Sequence, residues 1–165
     1  MTVTVHGTGT LSPIAVDGRL ALSRPVPGLV VTEQRRGFRA EMTASLEAFS
    51  AVRTLIRSLS TAYGANRELG ESAELVASEL MGNVVRASPE DEPVPLIVEV
   101  YAVSTGVEVI VHDAVPGQPS RCDVALDSTE ALSGRGLHLL DLLTDRWTVE
   151  PAPLGKKIRC HLRSA

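Results

Sequence analysis

Three polar residues lie at helical spacing near the middle of the chain. Glu79, Asn83 and Arg86 are four and three residues apart, so a helix would place them in one stripe. The Asn83 amide oxygen is the kind of hard ligand that Mg²⁺ shares with phosphates and water. The Glu79 carboxylate could accept a proton from a nucleophile, and the Arg86 guanidinium could neutralise phosphate oxygens. A solvated helix face with a surface ion pair explains the same spacing, and Glu-x-x-x-Asn alone does not separate the two interpretations.

A carboxylate at the end of an apolar strand is the second candidate. Asp113 directly follows the run Val-Glu-Val-Ile-Val-His at residues 107–112. A partly buried acid at the mouth of a strand can accept a hydrogen bond from an exocyclic amine such as that of adenine. The alternative is that Asp113 only starts the turn before Pro116 and Gly117, as aspartate often does. The residue type and position leave both interpretations open.

The third candidate is a glycine pair at the start of a short apolar helix. Gly134-Arg135-Gly136-Leu137 precedes a helix that the pattern places over residues 137–143. Two glycines let backbone N–H groups turn toward an anion, and the helix N-terminus adds a favourable partial positive charge. A flexible linker in front of a helix accounts equally well for a single Gly-x-Gly.

Two longer amphipathic helices come before this segment. Apolar residues recur at helical spacing from Leu46 to Leu59 and predict a helix with Thr43 as its N-cap and an end at Tyr63-Gly64. Ser72 is the expected N-cap of a second helix, which ends near Ser88-Pro89. The second helix carries the polar stripe, beside an apolar stripe that would face a sheet.

Strands are predicted around residues 36–40, 96–103, 107–112, 146–150 and 157–163. Strands that are adjacent in the sequence pair by hairpins, and the helices are amphipathic. This order predicts the α+β class, in the form of a two-layer α/β sandwich whose mostly antiparallel, mixed sheet carries helices packed on one face. Residues 114–133 are polar and turn-rich, too long for a plain connection.

The first 34 residues differ from the rest of the chain. The segments on either side of Asp17-Gly18 are apolar, and this dipeptide favours a tight hairpin turn. Pro25, Pro27 and Gly28 follow. We therefore predict an N-terminal arm or hairpin over residues 1–34 and one domain over residues 35–165.

Composition narrows the class of protein further. The chain has 165 residues, 44% of them hydrophobic, which fits one domain with a core of its own. Its net charge of −4 is opposite to the basic excess of proteins that bind DNA or RNA through phosphates, so no nucleic acid partner is expected. No apolar stretch is long enough to span a membrane, and the 2 cysteines fit a reducing cytosol. We expect a cytoplasmic protein without a membrane contact.

The succession of these features resembles the nucleotide-binding domain of the histidine-kinase-like ATPases, and most closely the small stand-alone anti-sigma-factor serine/threonine kinases. Residues 75–87 are similar to the N-box of that family, and residues 111–119 to its first glycine box. Residues 134–141, with 145–147 and 155–158, are similar to the second glycine box and the closing strands. The resemblance spans about residues 35–163 and so identifies residues 35–165 as the ATP-binding domain.

The resemblance implies ATP and Mg²⁺ as cofactors and gives each candidate a role. Asn83 would be the Mg²⁺ ligand, Glu79 the catalytic general base for a Ser/Thr hydroxyl or a water, and Asp113 the acceptor of the adenine amine. Residues 118–133 would form a short ATP lid. The remaining residues that would bind the nucleotide are Arg86, Gly117, Gly134, Arg135, Gly136 and Leu137.

The implied function is that of an ATP-binding regulatory kinase. Its implied partners are a small antagonist protein that it phosphorylates, a sigma factor that it sequesters, and a second copy of itself in a homodimer. Three positions depart from the family pattern. Val115 replaces a glycine, Ala87 an aromatic residue or histidine, and Lys156-Lys157 a threonine. These departures motivate the alternative function, a non-catalytic nucleotide- or protein-binding module of the same fold.

Overall fold

The computed structural model describes residues 2–4, 20, 22–117 and 131–164, with only the backbone for residues 2–4 and 131–136. Within these residues, seven strands form one sheet in the order β1-β2-β3-β4-β5-β7-β6, and every neighbouring pair is antiparallel. The strands are β1 (Thr2–Thr4), β2 (Leu29–Gln34), β3 (Gly37–Thr43), β4 (Pro95–Val103), β5 (Gly106–Asp113), β6 (Arg146–Ala152) and β7 (Gly155–Arg163). The helices are α1 (Leu46–Ala62), α2 (Arg67–Ala87) and α3 (Ala131–Leu143).

The core lies between one face of the sheet and the helices. α1 packs on β3 and β4, α2 on β5 and β7, and α3 against α2 and β6. In β4, residues at every second position are buried, as alternation of side chains across a strand requires. These buried residues are Leu96, Val98, Val100 and Ala102. The predicted α+β sandwich with helices on one face is confirmed.

Both predicted helix N-caps are wrong, although both helices exist. Ser45, and not Thr43, caps α1: its backbone is extended and its hydroxyl accepts the Ala48 N–H at 3.0 Å. Asn66, and not Ser72, caps α2 by accepting the Leu69 N–H at 2.7 Å. The extra turn of α2 buries Leu69 in the core, so tertiary packing extends the helix beyond the cap that the sequence pattern suggested.

The start of α3 also differs from the prediction. Gly134 and Gly136 do not open the helix, because α3 already begins at Ala131. Each glycine costs a helix about 1 kcal/mol relative to alanine, which is little enough for the burial of Leu137 and Leu140 to outweigh it.

Strand β2 falls at the end of the predicted N-terminal arm, yet it pairs with β3 from Leu29 to Gln34. It contributes Leu29 and Val31 to the core. The division of the chain at residue 34 remains a prediction. The Asp17-Gly18 hairpin and most of the predicted lid, residues 118–130, lie outside the described residues. No helix in the described part is both long and apolar enough to span a bilayer.

Candidate functional site

The orientation of helix α2 determines where the polar stripe lies, because the apolar face of the helix is buried in the core. The apolar stripe that the spacing predicts is buried against the sheet and the neighbouring helices at every position except Ala87, which is exposed. This burial sets the rotation of the helix about its axis. The buried positions are Ala73, Ala77, Leu80 and Val84. The stripe of Glu79, Asn83 and Arg86 consequently lies at the rim of the buried face, where its side chains remain partly accessible.

The structure brings the three polar residues together around one guanidinium nitrogen. Arg86 Nη2 donates to Glu79 Oε1 at 2.8 Å and also to Asn83 Oδ1. The Glu79 side chain is 26% exposed and that of Arg86 is 50% exposed, so the cluster is open to solvent on one side. The surface pair of the alternative interpretation is therefore present, and it includes the amide of Asn83.

Gly82 leaves room for this arrangement. A Cβ at residue 82 would lie 3.2 Å from Arg86 Nη1, which is closer than an ordinary van der Waals contact. Glycine is unfavourable in the interior of a helix. Its position here allows the guanidinium to lie back along α2 toward Glu79.

The oxygens of this cluster are of the type that binds a divalent cation, and they converge on one point. A carboxylate oxygen and an amide oxygen that meet at one cationic nitrogen are the hard donors that Mg²⁺ prefers. Asn83 can act as a metal ligand once Arg86 turns away from its Oδ1. Arg86 would then be free to approach an anion.

Asp113 stands at the end of β5, opposite Leu96 on one side and Lys156 on the other. Because Leu96 is buried, this pairing turns Asp113 toward the helix layer, and only 2% of Asp113 is exposed. Its Oδ1 accepts two hydrogen bonds, from the Val115 N–H at 2.8 Å and from Lys156 Nζ at 2.9 Å. The bond to Val115 is that of an aspartate at the start of a turn, so the turn interpretation holds for this oxygen.

A cavity of about 380 Å³ lies beside this ion pair. It is bounded by the segment that follows β5 and by the hairpin between β6 and β7. Gly155 begins β7 here, and a Cβ on it would lie 2.7 Å from the Asp113 carbonyl oxygen, so only glycine fits. The lining residues are Ala114, Val115, Pro116, Gly117, Val149, Glu150, Pro151, Gly155 and Lys156.

The other predicted nucleotide-binding residues are distributed between this cavity and α3. Gly117 lines the cavity with a positive φ of 88°. Gly134, Arg135 and Gly136 lie in the first turns of α3, and Leu137 is buried in the core. Among the described residues, no hydrogen bond or ion pair connects the α2 cluster with Asp113.

Sequence reasoning missed the role of Lys156, which it treated only as a departure from a family pattern. Lys156 also donates to the Val115 carbonyl, so it ties together the turn that follows β5. The two partners of the ion pair are 43 residues apart. The antiparallel register between β5 and β7 would have revealed the contact, but these strands are not consecutive and the sequence does not fix their register.

Together these features define a two-layer α+β domain that presents a polar helix stripe and a strand-end carboxylate on the helix side of an antiparallel sheet. The sequence model of the histidine kinase-like ATPase domain matches residues 42–161, and the chain belongs to this family. Membership implies ATP binding, with Mg²⁺ as the usual companion of the nucleotide. No curated protein matches the chain.

Proposed function

We propose that this protein is an ATP-dependent serine/threonine protein kinase of the anti-sigma-factor type. The observation that carries the proposal is the convergence of Glu79 Oε1 and Asn83 Oδ1 on a single cationic nitrogen. The base must act on a hydroxyl that lies next to the phosphates, and the metal ligand holds the ion that binds those phosphates. The two groups must therefore lie close together. The proposed partner is a small antagonist protein, with a sigma factor and a second copy of the chain as further partners.

The roles of the residues follow from phosphoryl transfer. The acceptor hydroxyl oxygen forms a bond to the γ-phosphorus, the bond from that phosphorus to the bridging oxygen breaks, ADP leaves, and the hydroxyl proton passes to Glu79. Asn83 would hold Mg²⁺, which neutralises charge on the phosphates when bound. Arg86, released from the cluster, would pair with a phosphate oxygen.

The remaining groups would hold the two ends of the nucleotide. Asp113 and the cavity beside Gly117 would take the base, at the end of β5. The N-terminal turn of α3, which reaches Gly134, would face the phosphates, whereas Arg135, Gly136 and Leu137 lie further into the helix, where backbone N–H groups are bonded within it. These assignments carry the family's roles to the matching positions of this chain.

Transfer of labelled phosphate from ATP to an antagonist protein tests this function, with Glu79→Gln as the key variant. Because glutamine keeps the shape of the side chain but cannot accept the proton, we expect transfer to fall by 10²-fold or more, on the order of a lost general base, while nucleotide affinity changes little. Glu74→Gln is the matched control on the same helix. Equal rates for Glu79→Gln and the unmodified protein would refute the role of Glu79 and with it the kinase mechanism.

A non-catalytic module of the same fold is the second candidate. The observation that favours it is that both predicted ligand groups already have partners: Arg86 pairs with Glu79 and Asn83, and Lys156 pairs with Asp113. Such a protein would bind its partner without transferring phosphate. Absence of heat and of any thermal shift with millimolar Mg-ATP would support it over the kinase.

A further inference from the structure

Strand β6 forms one edge of the sheet, and among the residues that the structure describes no strand pairs with its outer side. Its partner β7 follows after a two-residue turn, so the hairpin is closed by a hydrogen-bonded pair, Ala152 and Gly155. Such pairs recur at every second residue, which makes Arg146 and His161 another one. The Asp145 N–H donates to the His161 carbonyl at 2.8 Å, so this carbonyl does face β6. Even-numbered residues of β6 therefore bond to β7, and odd-numbered residues direct their backbone groups outward.

The outward backbone groups of β6 can be paired by a second strand. Trp147 and Val149 each present an N–H and a C=O group at this edge, which is the usual template for the addition of a strand. Pro151 also stands at an outward position, so its missing N–H costs no hydrogen bond to β7 but ends the stretch that can pair. Residues 146–150 thus form the part of the edge that can accept another strand.

The side chains of residues 146–150 are complementary to a second copy of themselves. Arg146 and Glu150 lie two residues before and two residues after Thr148, on the face of the sheet opposite the helices. An antiparallel pair centred on Thr148 therefore sets Arg146 of each copy opposite Glu150 of the other. On the helix face the same register sets Trp147 opposite Val149, a favourable cross-strand pair of an aromatic and a β-branched residue. Centring the pair on Arg146 or on Glu150 would instead set like charges opposite each other.

Both charged side chains can be reached by a partner. Arg146 is exposed, and among the described residues its guanidinium has no acceptor or acidic partner. The Glu150 side chain is 41% exposed and contacts Lys157 at 3.1 Å and Arg159 at 3.7 Å. These two contacts hold the Glu150 carboxylate on the face where Arg146 of a second copy would lie.

We propose that two copies of this protein pair through β6, in an antiparallel and two-fold symmetric arrangement that joins their sheets into one. The proposal rests on the proposed function only in that it gives the second copy, already proposed as a partner, a surface and a register. Its outcome is independent of phosphoryl transfer. A strand pair of this length buries less than a standard interface, so we expect a reversible dimer with a dissociation constant of about 1–100 µM.

Sedimentation equilibrium of the whole protein, from about 1 to 300 µM, tests whether this dimer forms. Trp147 is the only tryptophan of the chain, so its fluorescence reports on β6 directly. We expect dimer formation and a shift of the emission to shorter wavelength to follow the same concentration dependence, because a second copy covers the edge. A monomer over the whole range, or a dimer that leaves the emission unchanged, would overturn the proposal.

Charge reversal tests the register. Arg146→Glu and Glu150→Arg each set like charges opposite each other at two places, so we expect either variant to weaken the dimer by about tenfold or more. An equimolar mixture of the two variants should dimerise again, because every charge then faces an opposite one. Arg35→Glu, at the exposed turn between β2 and β3, is the matched control and should leave the dimer unchanged.

A mixture that stays monomeric, or single variants that dimerise as well as the unmodified protein, would overturn the register. Glu150→Arg also loses the contacts with Lys157 and Arg159, and if it does not fold, Arg146→Glu and the unmodified protein still decide the question. A monomer that binds Mg-ATP would reject the interface and leave the proposed kinase function standing.

Discussion

Arg86 holds the oxygens of Glu79 and Asn83 through a contact that spans seven residues of one helix. An exposed pair of this kind adds little to stability, between zero and about 1 kcal/mol. The contact matters instead for the chemistry of the cluster, because the guanidinium is hydrogen-bonded to the oxygens that a metal ion or a proton would bind. In the proposed function, binding of the metal would require Arg86 to move, and the same movement would make Arg86 available to a phosphate.

Gly82→Ala should stabilise the protein and loosen this contact. Alanine is favoured over glycine in a helix interior by about 1 kcal/mol, and its Cβ at 3.2 Å from Arg86 Nη1 would push the flexible end of the arginine aside. We expect the free energy of unfolding in urea to rise by about 0.5–1 kcal/mol. The control is Gly64→Ala, which should destabilise the protein because Gly64 has a φ of 68°. A less stable Gly82→Ala protein would show that the contact matters more than helix propensity.

Single N-cap residues determine where the helices begin. Asn66→Ala removes the acceptor of the Leu69 N–H and should cost about 1 kcal/mol in the free energy of unfolding. Ser72→Ala changes a residue inside α2 and should be neutral or slightly stabilising, since alanine has the higher helix propensity. Chemical unfolding of both variants provides the measurement. A larger loss for Ser72→Ala would restore Ser72 as the cap.

On the face of the sheet opposite the helices, strands β3, β4 and β5 share a polar network. Glu99 contacts Arg39 at 3.2 Å and His112 at 2.6 Å, and it accepts a hydrogen bond from Tyr101. Burial raises the pKa of Glu99, but the hydrogen bonds from Tyr101 and His112 outweigh it and hold the pKa below its ordinary value. Burial and the bond to Glu99 raise the pKa of Tyr101 to about 12.

A lowered pKa of Glu99 in the folded protein means that its ionised form stabilises the fold. This contribution is complete above the pKa of the unfolded chain, near 4.5, and is lost as the pH falls through the lower folded value. We expect Glu99→Gln to be less stable than the unmodified protein at neutral pH, with the difference shrinking under acid conditions. Urea unfolding between pH 3 and pH 7, roughly the range around a carboxyl pKa, measures it. Glu41→Gln, at the more exposed partner of Arg39, is the control, and a difference independent of pH would contradict the assignment.

Periodicity predicted the elements better than their ends. The alternation over residues 96–103 and the apolar spacing of α1 and α2 determine these elements, because burial on one face imposes the pattern. Helix starts depend on which of several polar side chains reaches a backbone N–H. Thr43 and Ser45, like Asn66 and Ser72, are all residue types that can cap a helix, so type alone did not choose between them. The polar stripe of α2 could be predicted from the spacing of residues within one helix. The contact between Lys156 and Asp113 could not, because it forms only when β7 pairs with β5.

At the scale of the whole molecule, the sheet order brings distant parts of the chain to one end of the fold. β7 lies between β5 and β6, so the closing hairpin reaches the end of β5 and completes the cavity next to Asp113. The α2 stripe stands on the same side of the sheet, supported by packing of α2 on β5 and β7. In the proposed function, the cavity would be the base site and the α2 stripe the cation site. The opposite face of the sheet carries the polar network of Glu99.

Calorimetric titration of the unmodified protein and of Asn83→Ala with Mg-ATP tests the central claim most directly. We expect micromolar affinity, about −8 kcal/mol, for the unmodified protein and a loss of at least tenfold in the variant, because the amide oxygen that holds the metal is removed. Asn66→Ser, which keeps a capping side chain at the start of α2 and adds no charge, is the control for a neutral change elsewhere at this helix. Equal affinity of Asn83→Ala and the unmodified protein, or no binding by either, would contradict a nucleotide site built on α2.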